Sequence, residues 1–554
     1  MKTKLLSILF LTSLTQINAQ KTYPQDFSTP LKIPMILSGT FAELRTNHFH
    51  AGLDIKTQGR EGINVYAIGD GYISRIKVSP RGYGKAIYIT HPNGYTSVYA
   101  HLKEFKGEIA DYVRRQQYSR QSFAVDLYPK KGTLKVTRDE VIALSGNSGG
   151  SGGPHLHFEI RETASEKPVN PMEFGYEFAD TKKPLINGVY VYPIDGMAGG
   201  NKKNVYKVGF SKGTLTRNTP IPASGKVGVG VKTYDQLNGA SNMNGVYSID
   251  LYVNNEHTYN FTAEKVSFSQ TRYINSHTDY HHKKTSKGWI NKCFLDPGNK
   301  LAMYKTKVNR GIIDVESGKS YNIRLVVKDF KGNQKTSTFT LIGRENTPEI
   351  EVQNGSSKRF KWNIAHNYEN EGIKLHFPAN SFYEDIDFTY SKVGTSHKVG
   401  NTTIPVHKLF TISIKPEGIP AQDLNKTVLT RNGKSIGGEY KNGWITDKSK
   451  EFGTFALKVD RTPPKIVSVN LSNGSTFTSN SKIKLKISDN LAGIAKYVGK
   501  IDGKWVLMDY DKKYRLLTFA FKNEDISVGN HIFELTVTDK KGNQTRFERT
   551  FIKK

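Results

Sequence analysis

Three short histidine-containing segments within residues 50–158 most constrain how this chain of 554 residues can fold. They are His50-Ala-Gly-Leu-Asp54, Tyr99-Ala-His101-Leu102 and Gly153-Pro-His155-Leu-His157-Phe158. Imidazole nitrogens together with one carboxylate oxygen are a typical ligand set for catalytic zinc, which keeps a fourth position open for water. We therefore expect a fold that brings the three segments together around one metal ion.

The third segment has the pattern of a strand. Side chains alternate along a strand, so His155 and His157 in the apolar run His-Leu-His-Phe-Glu-Ile point to the same face. One imidazole can then bind the metal while the other reaches the attacking water. His50 and Asp54 can complete the ligand set, and Gly52 lets the chain bend between them. Each motif alone is weak, and only the three together predict a metal site.

These motifs resemble those of the lysostaphin-like (LytM-type) zinc metalloendopeptidases, which cut peptidoglycan cross-links. The resemblance covers roughly residues 38–174 and also includes Phe41 to His50, Val65 to Gly71, Gly82-Tyr-Gly84 and Ser145 to Glu159. It implies one zinc ion per chain, held by His50, Asp54 and His157. By the same resemblance, His155 acts on the attacking water, and His101 lies opposite and binds water or the developing oxyanion.

One segment departs from the family pattern. Family members usually pass quickly from the Tyr-x-His-Leu segment to the next strand, whereas here residues 103–137 intervene. Apolar residues at helical spacing predict a helix from Glu108 to Tyr118, and a hairpin is expected around Pro129-Lys-Lys-Gly132. This basic insert can form a rim of the cleft that selects the substrate, or it can be a passive surface excursion.

The first residues, 1–19, have the pattern of a secretory signal peptide. A basic start and an apolar stretch lead to Ala19 before Gln20, as expected for a cleavage point. The alternative, a membrane anchor, needs about 20 apolar residues, more than this stretch offers. We expect an exported protein of the periplasm, cell envelope or extracellular space with no transmembrane segment in the mature chain. Cys293 is the sole cysteine, so stability must come from cores rather than disulfides.

The formal net charge of +30 predicts an acidic partner or serves solubility alone. Nucleic acid is one class of polyanion, but no basic run is long, no nucleic-acid motif is visible, and the signal directs the chain out of the cytoplasm. An exported basic protein meets stem-peptide carboxylates of peptidoglycan and anionic lipid surfaces instead. We therefore expect peptidoglycan and no nucleic acid as partner.

The whole chain is predicted to be mainly β. The LytM-type domain, a β-rich duplicated hybrid motif by resemblance, spans residues 20–176 with the insert at 103–137, and about three β-sandwich-like modules follow. The segments ending in Asp329-Phe-Lys-Gly332-Asn-Gln and Asp539-Lys-Lys-Gly542-Asn-Gln are similar. This internal repeat predicts immunoglobulin-like sandwiches at 183–344 and 462–554, with another β-rich module at 346–460. The modules can hold the enzyme at its polymer or at envelope proteins.

Several other polar residues have competing interpretations. The repeated aspartates of the sandwiches could bind calcium, but turn chemistry explains them better. The cluster His277-Thr-Asp279-Tyr-His281-His282 could bind a metal, although an exposed loop is expected. His48 orients its loop or adds a ligand, and His91 belongs to a tight Asn93-Gly94 hairpin.

Together these features predict a zinc-dependent endopeptidase that cuts peptide cross-links of peptidoglycan with a metal-activated water. Two alternatives remain. Some relatives lack zinc ligands and activate other cell-wall hydrolases, although here all five positions are filled. The chain could also be a protease that acts on secreted proteins.

Overall fold

The computed structural model describes residues 23–554 except 203, 212–213, 216–218, 287, 346–357 and 523. The predicted signal peptide and the start of the predicted 346–460 module lie outside the described residues. The described chain is built mainly of strands, as predicted. Its α-helices are Gly107–Ser119, Ile274–His277 and Tyr280–Ser286, and its 3-10 helices are Pro171–Phe174, Thr271–Tyr273, Val308–Gly311 and Ala421–Lys426.

A nine-stranded sheet carries the three histidine-containing segments. Its main path, in spatial order, is Leu37–Gly39, Leu53–Lys56, His155–Glu162, Tyr95–Leu102, Lys85–Thr90, Gly71–Val78 and Val125–Leu127. Its other two strands are Lys135–Val136 and Pro168–Val169. Smaller sheets join Asn64–Tyr66, Val141–Leu144 and Glu104–Phe105, and Leu44–Arg45 with His48–Phe49. The strand His155–Glu162 therefore lies between the strands that carry Asp54 and His101.

Alternation of side chains explains how the strand His155–Glu162 fits the sheet. Leu156, Phe158 and Ile160 are fully buried in the apolar core. His155, His157 and Glu159 alternate with them and therefore occupy the opposite face. The predicted strand thus separates a packing face from a face that carries ionisable groups.

The hairpin predicted at Asn93-Gly94 is confirmed. Lys85–Thr90 and Tyr95–Leu102 pair antiparallel on either side of it. Gly94 has a φ of 85°, which a residue without a Cβ adopts at little cost. The hairpin positions the end of Tyr95–Leu102, where His101 lies, beside the central strand.

The insert at 103–137 contains the predicted helix but not the predicted hairpin. The helix spans Gly107–Ser119 and buries Ile109 and Val113. The hairpin prediction around Pro129 is wrong, because the two short strands Val125–Leu127 and Lys135–Val136 do not pair with each other. Both pair with Gly71–Val78, one near each end. The insert therefore extends the edge of the main sheet.

A second large sheet follows. Its ten strands are Leu185–Ala198, Tyr206–Lys207, Ile221–Tyr234, Ser248–Val253, Glu256–Thr262, Asn291–Lys292, Tyr304–Lys307, Ile313–Val315, Ser320–Lys328 and Gln334–Gly343. A small separate pair joins Phe210–Ser211 and Thr214–Leu215. The long strand Ile221–Tyr234 connects the sheet, since it pairs with Leu185–Ala198, with Gln334–Gly343 and with two short strands.

The rest of the chain forms two further groups of sheets. The first group contains Lys358–Phe360 with Ile386–Phe388, a five-stranded sheet of His366–Asn370, Ile373–Phe377, Phe410–Ile414, Trp444–Ser449 and Glu439–Lys441, and a five-stranded sheet of Tyr390–Val393, Ser396–Val399, Gly453–Val459, Thr427–Arg431 and Lys434–Gly437. The second contains Lys465–Ser468, Lys482–Ser488, Leu516–Ala520 and Asp509–Asp511 in one sheet, and Ser475–Phe477, Gln544–Lys553, Gly529–Asp539, Ile494–Ile501 and Lys504–Val506 in the other. Each group shares a hydrophobic core of its own.

The two large sheets share one hydrophobic core. Buried residues from Tyr23 to Leu341 belong to a single cluster. Phe49, beside the histidine segment, stacks on Phe261 with ring centroids 6.3 Å apart, and its backbone N–H donates to Thr271 Oγ1 at 2.8 Å. The part of the chain that carries the histidine segments therefore shares its core with the second large sheet.

The C-terminal pair of sheets contacts the insert helix. Arg114 Nη2 lies 2.7 Å from Glu524 Oε1, and the ring of Tyr118 meets Trp505 edge-on at 5.1 Å. The helix therefore has the C-terminal part of the chain against one of its sides. Among the described residues, no helix is long and apolar enough to span a membrane.

Candidate metal centre

Asp54 and His157 belong to neighbouring strands and are register partners. Asp54 Oδ1 lies 3.0 Å from His157 Nδ1. His50, just before the strand Leu53–Lys56, places Nε2 at 3.0 Å from the same oxygen and 2.9 Å from His157 Nδ1. All three side chains are buried. Two nitrogens and one oxygen therefore converge on one point.

Hydrogen bonds on the outer side of each ring determine which nitrogen faces this point. His50 Nδ1 donates to the carbonyl oxygen of Thr40 at 2.8 Å. His157 Nε2 donates to Glu159 Oε1 at 2.7 Å. In each neutral ring the inward nitrogen then carries the lone pair. Two lone pairs and a carboxylate oxygen this close repel each other unless a proton or cation lies among them, so the donor set fits a metal ion.

The carboxylate of Asp54 stays ionised. Burial by itself favours its neutral form, but the adjacent imidazoles, His50 first and then His155 and His157, hold its pKa well below the usual range. Arg45 Nη2 also lies 2.7 Å from Asp54 Oδ2, which leaves Oδ1 to face the imidazoles. The site therefore combines two imidazole nitrogens with one fixed negative charge.

Two further imidazoles border the cluster. His155 Nδ1 donates to the carbonyl oxygen of Gly153 at 2.8 Å, and its Nε2 lies 3.4 Å from Asp54 Oδ1. His101 Nδ1 donates to the carbonyl oxygen of Ser148 at 2.9 Å. The rings of His101 and His155 are 4.9 Å apart. Each ring is held through Nδ1, so Nε2 is the nitrogen available for proton transfer.

His101 has an unusual backbone and an unusual pKa. Its φ of 59° is uncommon for a residue with a Cβ, and such strain clusters at functional sites. Burial, followed by the charges of His157 and His155, lowers the pKa of His101 to about 3. The ring is therefore neutral near pH 7, and its Nε2 carries a lone pair that can accept a hydrogen bond.

Comparison with known proteins identifies this part of the chain. Residues 48–118 match the model of Peptidase family M23. The chain contains an M23 peptidase domain. The family match includes His50, Asp54 and His101, while His155 and His157 lie beyond it and reach the site through strand pairing. Residues 357–460 match the model of the Zu5-like domain.

Individual relatives match over the same part of the chain. DD-carboxypeptidase/endopeptidase Mpg of Neisseria meningitidis serogroup B is 33% identical over 129 residues, which is 23% of each chain. Peptidoglycan DD-endopeptidase ShyA of Vibrio cholerae serotype O1 is 32% identical over 120 residues, which is 22% of each chain. The catalytic domain of lysostaphin from Staphylococcus simulans is 23% identical, with 24% of this chain and 87% of that one covered at a TM-score of 0.19. The match spans less than a quarter of the length of the two curated relatives, Mpg and ShyA.

The structure brings together all five site residues predicted from the sequence of the M23 domain: His50, Asp54, His101, His155 and His157. Other histidines lie apart from the group. His48 is exposed and bonds the carbonyl oxygen of Thr46, and His91 is buried between Asp70 and Ser97. The exposed-loop prediction for the His277 cluster is wrong for His277 itself, which is fully buried in a short helix and bonds Tyr304 and Asn291.

Sequence reasoning missed the residues that orient the M23 site. Glu159 is fully buried and bonds His157, Arg161 and the hydroxyl of Tyr83. Its position two residues after His157 was a usable signal, because it shares a strand face with both histidines. Arg45 gave no comparable signal, since its contact with Asp54 depends on the small hairpin of Leu44–Arg45 and His48–Phe49.

The Gly-rich segment 145–153 passes close to the hairpin that carries His101. A Cβ on Gly149 would lie 2.3 Å from the backbone nitrogen of Gly84, and Gly149 has a φ of 72°. Both constraints require glycine there. This close passage lets the carbonyl oxygens of Ser148 and Gly153 reach His101 and His155.

Proposed function

We propose that this chain is an exported zinc endopeptidase that hydrolyses peptide cross-links of peptidoglycan. The convergence of His50 Nε2, His157 Nδ1 and Asp54 Oδ1 within 3.0 Å carries the proposal. The M23 domain supports peptide-bond hydrolysis. The names of relatives such as ShyA support peptidoglycan as substrate, and the charge of +30 suits an acidic polymer.

His50, Asp54 and His157 would hold the zinc ion. A zinc ion held in this way lowers the pKa of a water molecule and polarises the scissile carbonyl. Proton transfer and orientation of the water would be carried out by residues of the chain. His155 Nε2 would take a proton from the attacking water and return it to the leaving amine, and the bond of Nδ1 to the carbonyl oxygen of Gly153 supports this role. His101, neutral and held through Nδ1, orients that water by accepting a hydrogen bond at Nε2.

An open cleft leads to the site. Its volume is about 670 Å³, within the range of ligand sites. Asp54 and His155 form part of its wall together with the cations Arg45 and Lys56. A cross-linked stem peptide carries free carboxylates, and Lys56 would favour it over a neutral peptide.

Digestion of purified sacculi by the zinc-loaded chain tests this function. Mass analysis should show cross-linked fragments converted to shorter ones, each cut adding one water. His155→Ala should release no such fragments although it keeps zinc, whereas His48→Ala should act like the parent because that imidazole is exposed and outside the group. Intact cross-links after treatment with zinc-loaded parent protein would contradict the proposal, and so would equal release by His155→Ala.

A further inference from the structure

Two clusters of three carboxylates lie outside the M23 site. In Asp180, Asp235 and Asp329, and again in Asp460, Asp489 and Asp539, one side-chain oxygen of each residue lies within 4.8 Å of the others. An acidic cluster alone does not make a binding site. Three further features of these clusters point to a ligand.

The clusters occupy equivalent places in the internal repeat. Asp235 and Asp489 each follow a strand, Ile221–Tyr234 and Lys482–Ser488. Asp180 and Asp460 precede the first strands of their sheets. The third members, Asp329 and Asp539, begin the two Asp-x-x-Gly-Asn turns.

The asparagines of those turns make the same contacts in both copies. Asn333 Nδ2 donates to Asp329 Oδ2 at 2.8 Å and to the carbonyl oxygen of Asp180 at 3.2 Å. Asn543 Nδ2 donates to Asp539 Oδ2 at 2.7 Å and to the carbonyl oxygen of Asp460 at 2.9 Å. The repeat has therefore kept one three-dimensional arrangement, not only a turn sequence.

Buried oxygens in these clusters have no hydrogen-bond partner among the described residues. They include Oδ1 of Asp235 and Oδ1 of Asp489, the same atom of the equivalent residue in each copy. Asn244 is only 2% exposed, and neither its Oδ1 nor its Nδ2 has a partner. Leaving a buried polar atom unpaired is costly, so these atoms point to a ligand.

Asn244 faces the first cluster. It forms an antiparallel bridge with Asp235, with mutual backbone hydrogen bonds of 2.9 and 2.8 Å. Directly opposed residues place their side chains on the same face. A cavity of about 20 Å³ borders Asp180 and Asp235, room for about one water-sized particle.

The charge of the first cluster is poorly balanced by the protein. Lys182 is a nearby cation for Asp180 and Asp235, but its ammonium group donates to the carbonyl oxygens of Leu237 and Ala240, at 3.2 and 3.5 Å. Burial, with repulsion from Asp180 and Asp329, raises the pKa of Asp235 to about 7. Lys182 and Lys331, the lysines that act on Asp180, do not offset three carboxylates, so a divalent cation would stabilise the folded state.

We propose that the two aspartate clusters are calcium sites, one at the entry to each of the two repeated β modules. Calcium takes six to eight oxygen ligands at about 2.4 Å in flexible geometry, which suits carboxylates whose oxygens lie within 4.8 Å of one another. Asn244 Oδ1 adds an oxygen to the first site. This inference is independent of the proposed peptidase function.

The first calcium site is linked to the M23 centre by a short chain of contacts. Gly245, next to Asn244, donates its N–H to Thr40 Oγ1 at 3.1 Å. The carbonyl oxygen of Thr40 in turn accepts from His50 Nδ1 at 2.8 Å. Calcium at Asp235 would therefore order the loop that supports Thr40 and, through it, His50.

Calorimetric titration of the zinc-loaded full chain with calcium tests the proposal. The protein solution and the calcium solution contain the same zinc concentration, so that the measured heat reports calcium binding. We expect two calcium ions per chain. Asp235→Asn and Asp489→Asn should each remove one, and the double variant should remove both. Asp111→Asn, an exposed change on the insert helix, is the matched control and should leave two. Absence of binding at about 10 mM calcium, well above the weakest dissociation constants of extracellular modules, would overturn the proposal.

Thermal unfolding distinguishes a metal site from a turn. Without calcium, Asp235→Asn and Asp489→Asn should melt at or above the parent temperature, because each relieves repulsion. With calcium, the parent should gain thermal stability and the double variant should not. Equal calcium responses in the parent and the double variant would contradict the sites. If Asp235→Asn does not fold, Asp489→Asn, in a separate core, decides the outcome by the same two measurements.

Discussion

Asp54 and His157 face each other across two antiparallel strands, with Oδ1 and Nδ1 3.0 Å apart. Pairing of the strands, rather than a flexible loop, fixes this distance. His50 joins the pair from the bend that precedes the strand of Asp54. A metal site built on these residues would have two of its three ligands on paired strands rather than on loops.

Removal of one proposed ligand should abolish zinc binding. His50→Ala and Asp54→Ala each leave two protein donors, too few for a stable site. Metal analysis of the purified variants should find little zinc. His48→Ala is the matched control, because it removes an exposed imidazole two residues from His50 and should keep full zinc. Full occupancy in the His50 and Asp54 variants would disprove the ligand assignment.

His155 and His101 should affect hydrolysis without affecting zinc. His155→Ala removes the proposed proton acceptor and should lower kcat by about 100-fold to 10,000-fold. His101→Ala should also lower kcat, because the attacking water loses its orientation. Zinc content and kcat are to be measured on the same samples. Loss of zinc in either variant, as in His157→Ala, would mean that ligand and proton-transfer roles have been exchanged.

Arg45 should tune the metal affinity although it is not a ligand. Its Nη2 lies 2.7 Å from Asp54 Oδ2, so Arg45→Met frees the carboxylate to rotate. Loss of such an orienting partner weakens metal sites by about 10-fold to 100-fold. Competition with a chromogenic chelator measures the zinc dissociation constant. An unchanged zinc dissociation constant in a folded Arg45→Met protein would show that Arg45 does not affect zinc affinity.

Lys513 connects the C-terminal sheets to the M23 site. Its ammonium group donates to the carbonyl oxygens of Asn147 and, at 3.2 Å, of Ser151, both in the Gly-rich segment that supports His101 and His155. Loss of about 1 kcal/mol of loop stabilisation in Lys513→Ala should lower kcat/KM about fivefold with zinc retained. Lys512→Ala, an exposed neighbour, is the control. Equal kinetics for the two variants would contradict this positioning role.

Local patterns predicted much of the M23 domain. The period of two in residues 155–160, the Asn93-Gly94 turn and the helical spacing around Ile109 each specify structure through near neighbours, and all three appear in the structure. The hairpin around Pro129 failed for a different reason. Its flanking segments pair with Gly71–Val78 instead of with each other, and sequence proximity does not indicate that distant partner.

Long-range contacts account for the rest of what the sequence did not reveal. Lys513 lies 362 residues from Ser151, and the contact of Phe49 with Phe261 crosses from one sheet to another. Nothing local to either residue indicates its partner. The aspartates of the repeat are visible in the sequence, and the turn chemistry predicted for Asp329 and Asp539 is present in the structure. The unpartnered oxygens of Asp235 and Asp489 depend on the folded chain and could not be predicted from local sequence.

Zinc titration of metal-free protein, with hydrolysis of cross-linked fragments followed in parallel, tests the central claim most directly. Activity should rise in proportion to added zinc and stop rising at one equivalent per chain, because His50, Asp54 and His157 form a single site. His155→Ala should bind the same equivalent and stay inactive. Hydrolysis by the metal-free protein, or zinc binding at one equivalent that brings no hydrolysis in the parent chain, would contradict the account.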